Sequence, residues 1–141
     1  MKLGIVSGYF NPVHEGHLQY IRESKSQCDI LLCIVNNDEQ VKVKKSKKFL
    51  DENHRAKILQ AFSDIDLVVL SIDKDSSVTK TLESLKNLLP FYDLIFFNSG
   101  DRNPKDKSSI NSSEEKFCLE NNIDFKFLDL PKIYSSRELL S

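Results

Sequence analysis

Two imidazoles stand three residues apart in the segment SGYFNPVHEGHLQY, residues 7–20, where His14 and His17 enclose Glu15 and Gly16. Rings at this spacing can hold a metal, stabilise a phosphate, or cap a helix and pack in a core. A zinc site needs three or four ligands, and neither His54 nor Cys28, Cys33 and Cys118 stand at a supporting spacing. A dinucleotide site asks for G-x-G-x-x-G after its first strand, whereas the chain reads G-Y-F-N-P-V-H-E-G-H. Phosphate is the chemistry that the whole segment suits, although capping and core roles stay open. A glycine after a strand lets the backbone turn and approach a ligand, and the helix that follows offers unpaired N–H groups and a positive dipole end. Asn11 and Pro12 set the turn, and the helix is expected to begin near Glu15 or Gly16, with His14 just before its first turn and His17 within it. Such rings act as imidazolium or as neutral N–H donors toward charge that develops on a phosphate oxygen.

A second concentration of chemistry is the run KVKKSKK, carrying Lys42, Lys44, Lys45, Lys47 and Lys48. It reads either as a solvated loop or as an anion-binding one. Asp73 and Asp75 in SIDKDSS are expected to cap the helix after them.

These groups need a frame. Apolar runs at Leu3–Val6, Ile30–Val35, Leu67–Leu70 and Leu94–Phe97, with Asp124–Leu128, read as five strands. Between them lie helical patterns: Leu18 to about Gln27, a helix capped by Asp51 or Asn53 with Ala56, Ile58, Leu59 and Phe62, and another from Val78 to Leu89 that stops at Pro90. Ser113 is expected to cap a helix over 114–121 anchored by Phe117 and Leu119, and residues 136–140 a last turn or two. Residues 37–49 read as polar and lysine-rich, and 101–113 as a mobile loop. Strands alternating with helices imply right-handed crossovers and an open, five-stranded parallel sheet with helices on both faces. Ligands bind such sheets beyond the carboxyl ends of the strands. The chemically unusual segments, 7–17, 36–48, 98–102 and 132–137, all follow strands.

With 141 residues, a net charge of −1 and 40% hydrophobic residues, a single domain over 1–141 with one core is expected. The sequence pI of about 6.3 gives no global pull toward nucleic acid or an anionic membrane, so an anion site must be built locally. The three cysteines form no C-x-x-C pair and are read as buried free thiols of a reducing compartment. The apolar stretch in MKLGIVSGYF is too short for a signal peptide, and no run reaches membrane-spanning length. A cytoplasmic protein is expected.

G-Y-F-N-P-V-H-E-G-H-L resembles the signature of the HxGH nucleotidylyltransferase superfamily, and the rest of the chain is similar to its cytidylyltransferase-like members. Val35-Asn36-Asn37-Asp38-Glu39-Gln40 resembles that family's second-strand end, followed by a loop lysine best matched by Lys44. Asn53-His54-Arg55 resembles its arginine-bearing helix start. Asn98-Ser99-Gly100-Asp101-Arg102 resembles a G-G-D-R segment with Ser99 in place of a glycine. Lys132-Ile133-Tyr134-Ser135-Ser136-Arg137 resembles its Ser/Thr-rich helix entry, with Arg137 where a third hydroxyl is usual.

The resemblance implies a Rossmann-like α/β fold and transfer of a nucleoside monophosphate to a small phosphate monoester (a polyol, amino-alcohol or sugar phosphate) with release of pyrophosphate. CTP is the expected donor and ATP the alternative. Mg²⁺ is expected on the pyrophosphate, held by phosphate oxygens and water rather than by a protein cage. The roles implied are catalytic for His14, His17 and Lys44. Nucleotide binding falls to Gly8, Tyr9, Phe10, Asn11 and Gly16, with Gly100, Asp101, Arg102, Ser135 and Ser136 at the other strand ends. Asp38, Arg55 and Arg137 would serve the phosphorylated substrate, with Arg55 alternatively a partner for Asp38. A homodimer through Phe49 and Leu50 is expected. Arg137 motivates a different class of reading, a nucleotide-binding regulatory module without catalysis.

Overall fold

The structure, a computed structural model, describes residues 1–99 and 113–130. Five strands, β1 (Lys2–Gly8), β2 (Ile30–Val35), β3 (Leu67–Leu70), β4 (Asp93–Ser99) and β5 (Asp124–Leu128), form one parallel sheet in the order β3-β2-β1-β4-β5. The fold is therefore the open, Rossmann-like α/β sheet that the alternating pattern implies. β2 needs no polar alternation because both of its faces are covered. Leu31, Cys33 and Val35 join Val6, Tyr20, Ile21 and Leu59 on one side of the sheet. Leu32 and Ile34 join Leu3, Ile5, Leu82, Phe96 and Cys118 on the other. The helices α1 (Glu15–Lys25) and α3 (Glu52–Gln60) pack on the first side. The second side carries α4 (Thr79–Leu88) and α5 (Ser113–Glu120).

Gly4 is required by close approach. A Cβ there would stand 2.7 Å from Cys28 Sγ and 2.7 Å from a Phe97 ring carbon. Cys28, Cys33 and Cys118 are free thiols, the last two buried, and burial pushes the Cys118 thiol up to about 12. No helix among the described residues is long and apolar enough to cross a membrane.

Three expectations about elements need correction. Residues 37–49 are not wholly loop, since a short helix, α2 (Asp38–Val43), follows β2 directly. Its signal was present: Asn37 and Gln40 form a capping box, each side chain accepting the other's backbone N–H at 2.9 Å. In α5, Leu119 is 74% exposed and Cys118 is the buried anchor, because Cys118 and not Leu119 lies on the turn facing Leu82 and Ile123. Ser113 is already the first residue of that helix. Elsewhere Asp51 caps α3, and Asp73 takes the N–H groups of Lys80 and Thr81 in the first turn of α4. Asp75 instead holds Ser77. The expected turns at 136–140 and nearly all of the loop at 101–113 lie outside the described residues.

The sheet opens where the site is expected. β1 pairs with β2 as far as Gly8↔Val35, but with β4 only as far as Ile5↔Phe96. Beyond that point β1 and β4 part, and the helices that follow them, α1 and α5, lie on opposite faces. This is the switch-point crevice of an open α/β sheet.

Candidate nucleotide site at the carboxyl end of the sheet

Tyr20 closes the floor of that crevice. Its buried hydroxyl accepts the Ser7 N–H at 3.3 Å and donates to the Phe97 carbonyl, joining β1 to β4 where their own ladder has stopped. Above it the chain turns sharply. Phe10 is buried and adopts φ 51°, the left-handed region disfavoured for a bulky side chain. Its ring lies under Gly8, where an added Cβ would meet it at 3.0 Å. The Asn11–Pro12 peptide is cis.

The histidines open α1 as a reciprocal pair. His14 is the N-cap, its Nδ1 accepting the Gly16 N–H at 3.1 Å, while the His14 N–H donates to His17 Nδ1 at 3.1 Å. The rings stack with centroids 3.8 Å apart, and Phe10 meets His17 edge-on at 4.9 Å. A ring nitrogen that accepts a backbone N–H carries no proton, so in this arrangement each ring holds its proton on Nε2. Burial, with the adjacent His14 ring adding to it, lowers the His17 pKa to about 3. His17 is thus a neutral N–H donor at physiological pH. Capping and phosphate chemistry are compatible in His17, whose Nδ1 serves the helix while Nε2 carries the proton.

The lysine segment is fixed against this turn by Asn11, whose amide donates to the Lys47 carbonyl at 2.7 Å and accepts the Phe49 N–H at 2.9 Å. Lys44, the C-cap of α2, places its ammonium 4.4 Å from the centroid of the Tyr9 ring. Among the described residues, no group of three or more His, Cys, Asp or Glu could hold a metal ion.

The profile of a family described as cytidylyltransferase-like matches residues 5–106. The chain belongs to the cytidylyltransferase-like family. Over 87 residues it is 37% identical to the bifunctional protein HldE of Geobacter metallireducens, a match spanning 60% of this chain and 17% of that protein. It is 30% identical over 86 residues to the FAD synthase of Ferroglobus placidus, spanning 61% of this chain and 55% of the relative. The chain thus spans about half or less of the length of these relatives. The crystal structure of a lipopolysaccharide core biosynthesis protein from Thermoplasma volcanium superposes with a TM-score of 0.70 at 23% identity, covering 95% of this chain and 99% of that one. That last likeness concerns the fold.

In this cytidylyltransferase-like chain Gly8, Tyr9, Phe10, Asn11, His14, Gly16 and His17 come together on one turn, with Lys44 beside Tyr9. Gly100, Asp101, Arg102, Ser135, Ser136 and Arg137 lie outside the described residues. Arg55 and Asp38 are brought together, but as partners of each other. The fully buried Arg55 guanidinium donates to Asp38 Oδ1 at 2.8 Å, to the Tyr9 and Asn36 carbonyls at 2.7 Å each, and to the Leu50 carbonyl at 3.0 Å. The other Asp38 oxygen lies 3.7 Å from Lys48 Nζ. Of the two roles open for Arg55, the pairing with Asp38 is the one this geometry holds; a buried guanidinium spent on protein oxygens has little left for a phosphate. Asn11 likewise spends its amide on the lysine segment.

Sequence reasoning missed Gln40 and Tyr20. Gln40 is buried, accepts from Ser71 Oγ, and donates to the Asp75 and Ser77 carbonyls at 2.7 Å each, so it locks α2 to the start of α4. The capping-box spacing N-D-E-Q was its signal. Tyr20 offered none beyond an aromatic at a helical core position. Glu114, in the first turn of α5, is a further unread group; burial raises its pKa, with Asp73 and Asp75 reinforcing the shift.

Proposed function

We propose that this chain transfers a nucleoside monophosphate from a nucleoside triphosphate to a small phosphate monoester and releases pyrophosphate. The observation that carries the reading is the pair of imidazoles at the N-terminus of α1, both Nδ1 atoms engaged by backbone N–H groups, beside a crevice that opens between β1 and β4.

The chemistry asks little of the protein beyond positioning and charge stabilisation. The acceptor oxygen is already anionic, so no nucleophile or strong base is needed. It forms a bond to the α-phosphorus while the bond from that phosphorus to the bridging oxygen breaks, and the electron pair leaves on pyrophosphate. His14 and His17 donate toward α- and β-phosphate oxygens, and the α1 dipole adds to the same field. Lys44 draws the two anionic substrates together. Mg²⁺, bound to the triphosphate, would neutralise charge on the leaving pyrophosphate.

For the donor, similarity to proteins named FAD synthase, whose product contains an adenine nucleotide, favours ATP. The HxGH resemblance to cytidylyltransferases keeps CTP as the second reading. Incubation of the full chain with Mg²⁺, each triphosphate and a panel of polyol, amino-alcohol and sugar phosphates tests the proposal by pyrophosphate release. Release that requires both substrates is expected. Nucleotide binding without pyrophosphate across a broad panel would replace the enzyme with the regulatory module that Arg137 suggested.

A further inference from the structure

The loop lysines are not held alike. Lys42 lies 3.5 Å from Glu39 and Lys48 lies 3.7 Å from Asp38, so each faces a carboxylate. Lys44 has no ion pair among the described residues, and its ammonium rests on the face of the Tyr9 ring at 4.4 Å. The difference matters for an anion site. A carboxylate neutralises the ammonium it binds. An aromatic face attracts the cation through its quadrupole and leaves the net charge in place.

Tyr9 is itself fixed. Its carbonyl takes a 2.7 Å hydrogen bond from buried Arg55, and the next residue, Phe10, is buried in a left-handed turn. Among the described residues the buried Tyr9 hydroxyl has no hydrogen-bond partner, so no described contact is lost when it is removed. On the other side, Lys44 ends a helix locked to the rest of the protein through Gln40. Two fixed backbones therefore meet through one flexible side chain and one ring.

We propose that Tyr9 is the positioning residue for Lys44: its ring face holds the ammonium unneutralised beside the histidine turn, ready for an anionic substrate. The inference rests on the transfer reading for its kinetic consequence, but the contact exists in the free protein. It is also distinct from nucleotide contact by Tyr9 itself, because the ring acts through the lysine and the hydroxyl is dispensable.

The test has two arms. In proton–carbon NMR of the ligand-free full chain, the Lys44 Hε resonances should sit upfield through the Tyr9 ring current. Tyr9→Leu should abolish that shift and Tyr9→Phe should keep it. Kinetically, Tyr9→Leu should lower kcat/KM about two- to fivefold, the worth of one exposed cation–π contact, Tyr9→Phe should restore it, and Tyr9→Leu should add nothing further in a Lys44→Met background. Thermal unfolding of each variant shows that the fold is kept. An unshifted Lys44 resonance in the wild type, a Tyr9→Phe variant as impaired as Tyr9→Leu, or additive losses in the double variant would each overturn the proposal. A wild type inactive with every triphosphate would sink the transfer reading instead, and the NMR arm would still decide the contact.

Discussion

His14 and His17 illustrate what spacing reveals and what it withholds. H-E-G-H before a helical pattern was enough to place both rings at a helix start and to favour phosphate over zinc. Their protonation was not legible, because it depends on which ring nitrogen meets a backbone N–H, and that is a matter of φ and ψ at the turn. If the pair stabilises charge on the triphosphate, His17→Ala should reduce kcat about a hundredfold or more, the loss typical of one preorganised donor, with pyrophosphate release as the readout; a near-normal rate would remove His17 from the mechanism. The lowered pKa also predicts a pH effect with a definite sign. Between about 6.5 and about 3 the unfolded chain protonates this residue and the folded chain does not, so stability falls as pH falls through that window. Urea unfolding at pH 7 and pH 4.5 should show the wild type losing roughly 1–3 kcal/mol more than a His17→Asn variant. Arg55 carries the complementary lesson: a charged side chain is read as exposed by default, and its burial emerges only when three loops converge on it.

At the scale of elements, the strands and four of the helices were legible from apolar periodicity, and a parallel sheet covered on both faces followed from their alternation. What escaped was α2. Six residues are too few to show a period, and the lysines after them disguise the segment as loop. Its stability is tertiary, coming from Asn37 and Gln40. The Asn37 side chain caps the helix and also donates to the Ser71 and Asp73 carbonyls at 3.0 and 2.9 Å. Asn37→Ala should therefore cost about 1–2 kcal/mol in chemical denaturation, the upper part of the range for a lost cap. It should weaken substrate affinity as well, since Lys44 stands at the far end of the same helix. An unchanged denaturation midpoint would show that Gln40 alone suffices.

For the molecule as a whole, every described group singled out for chemistry lies at one end of the sheet, as a parallel α/β fold demands. This was legible because the unusual residues all follow strands. Less legible was how the crevice is kept open without weakening the sheet. Tyr20 does this by bridging the Ser7 N–H and the Phe97 carbonyl with a single hydroxyl. Tyr20→Phe leaves both backbone groups buried without that partner, and thermal or urea unfolding should register a loss of about 1–3 kcal/mol. A variant as stable as the wild type would mean that the ring alone joins the strands.

The Asn11 amide has a consequence for motion. From Lys44 to Phe49 the backbone is tethered at short intervals. Lys44, Lys45 and Ser46 donate back to the carbonyls of Gln40, Lys42 and Val41, and Asn11 secures Lys47 and Phe49. A segment pinned this densely is a poor hinge. If Lys44 serves the proposed transfer, charge would reach the substrates through rotation of its side chain about a stationary post, a motion of picoseconds to nanoseconds, rather than through a loop closing over microseconds to milliseconds. Closure of this segment would then set no ceiling on turnover.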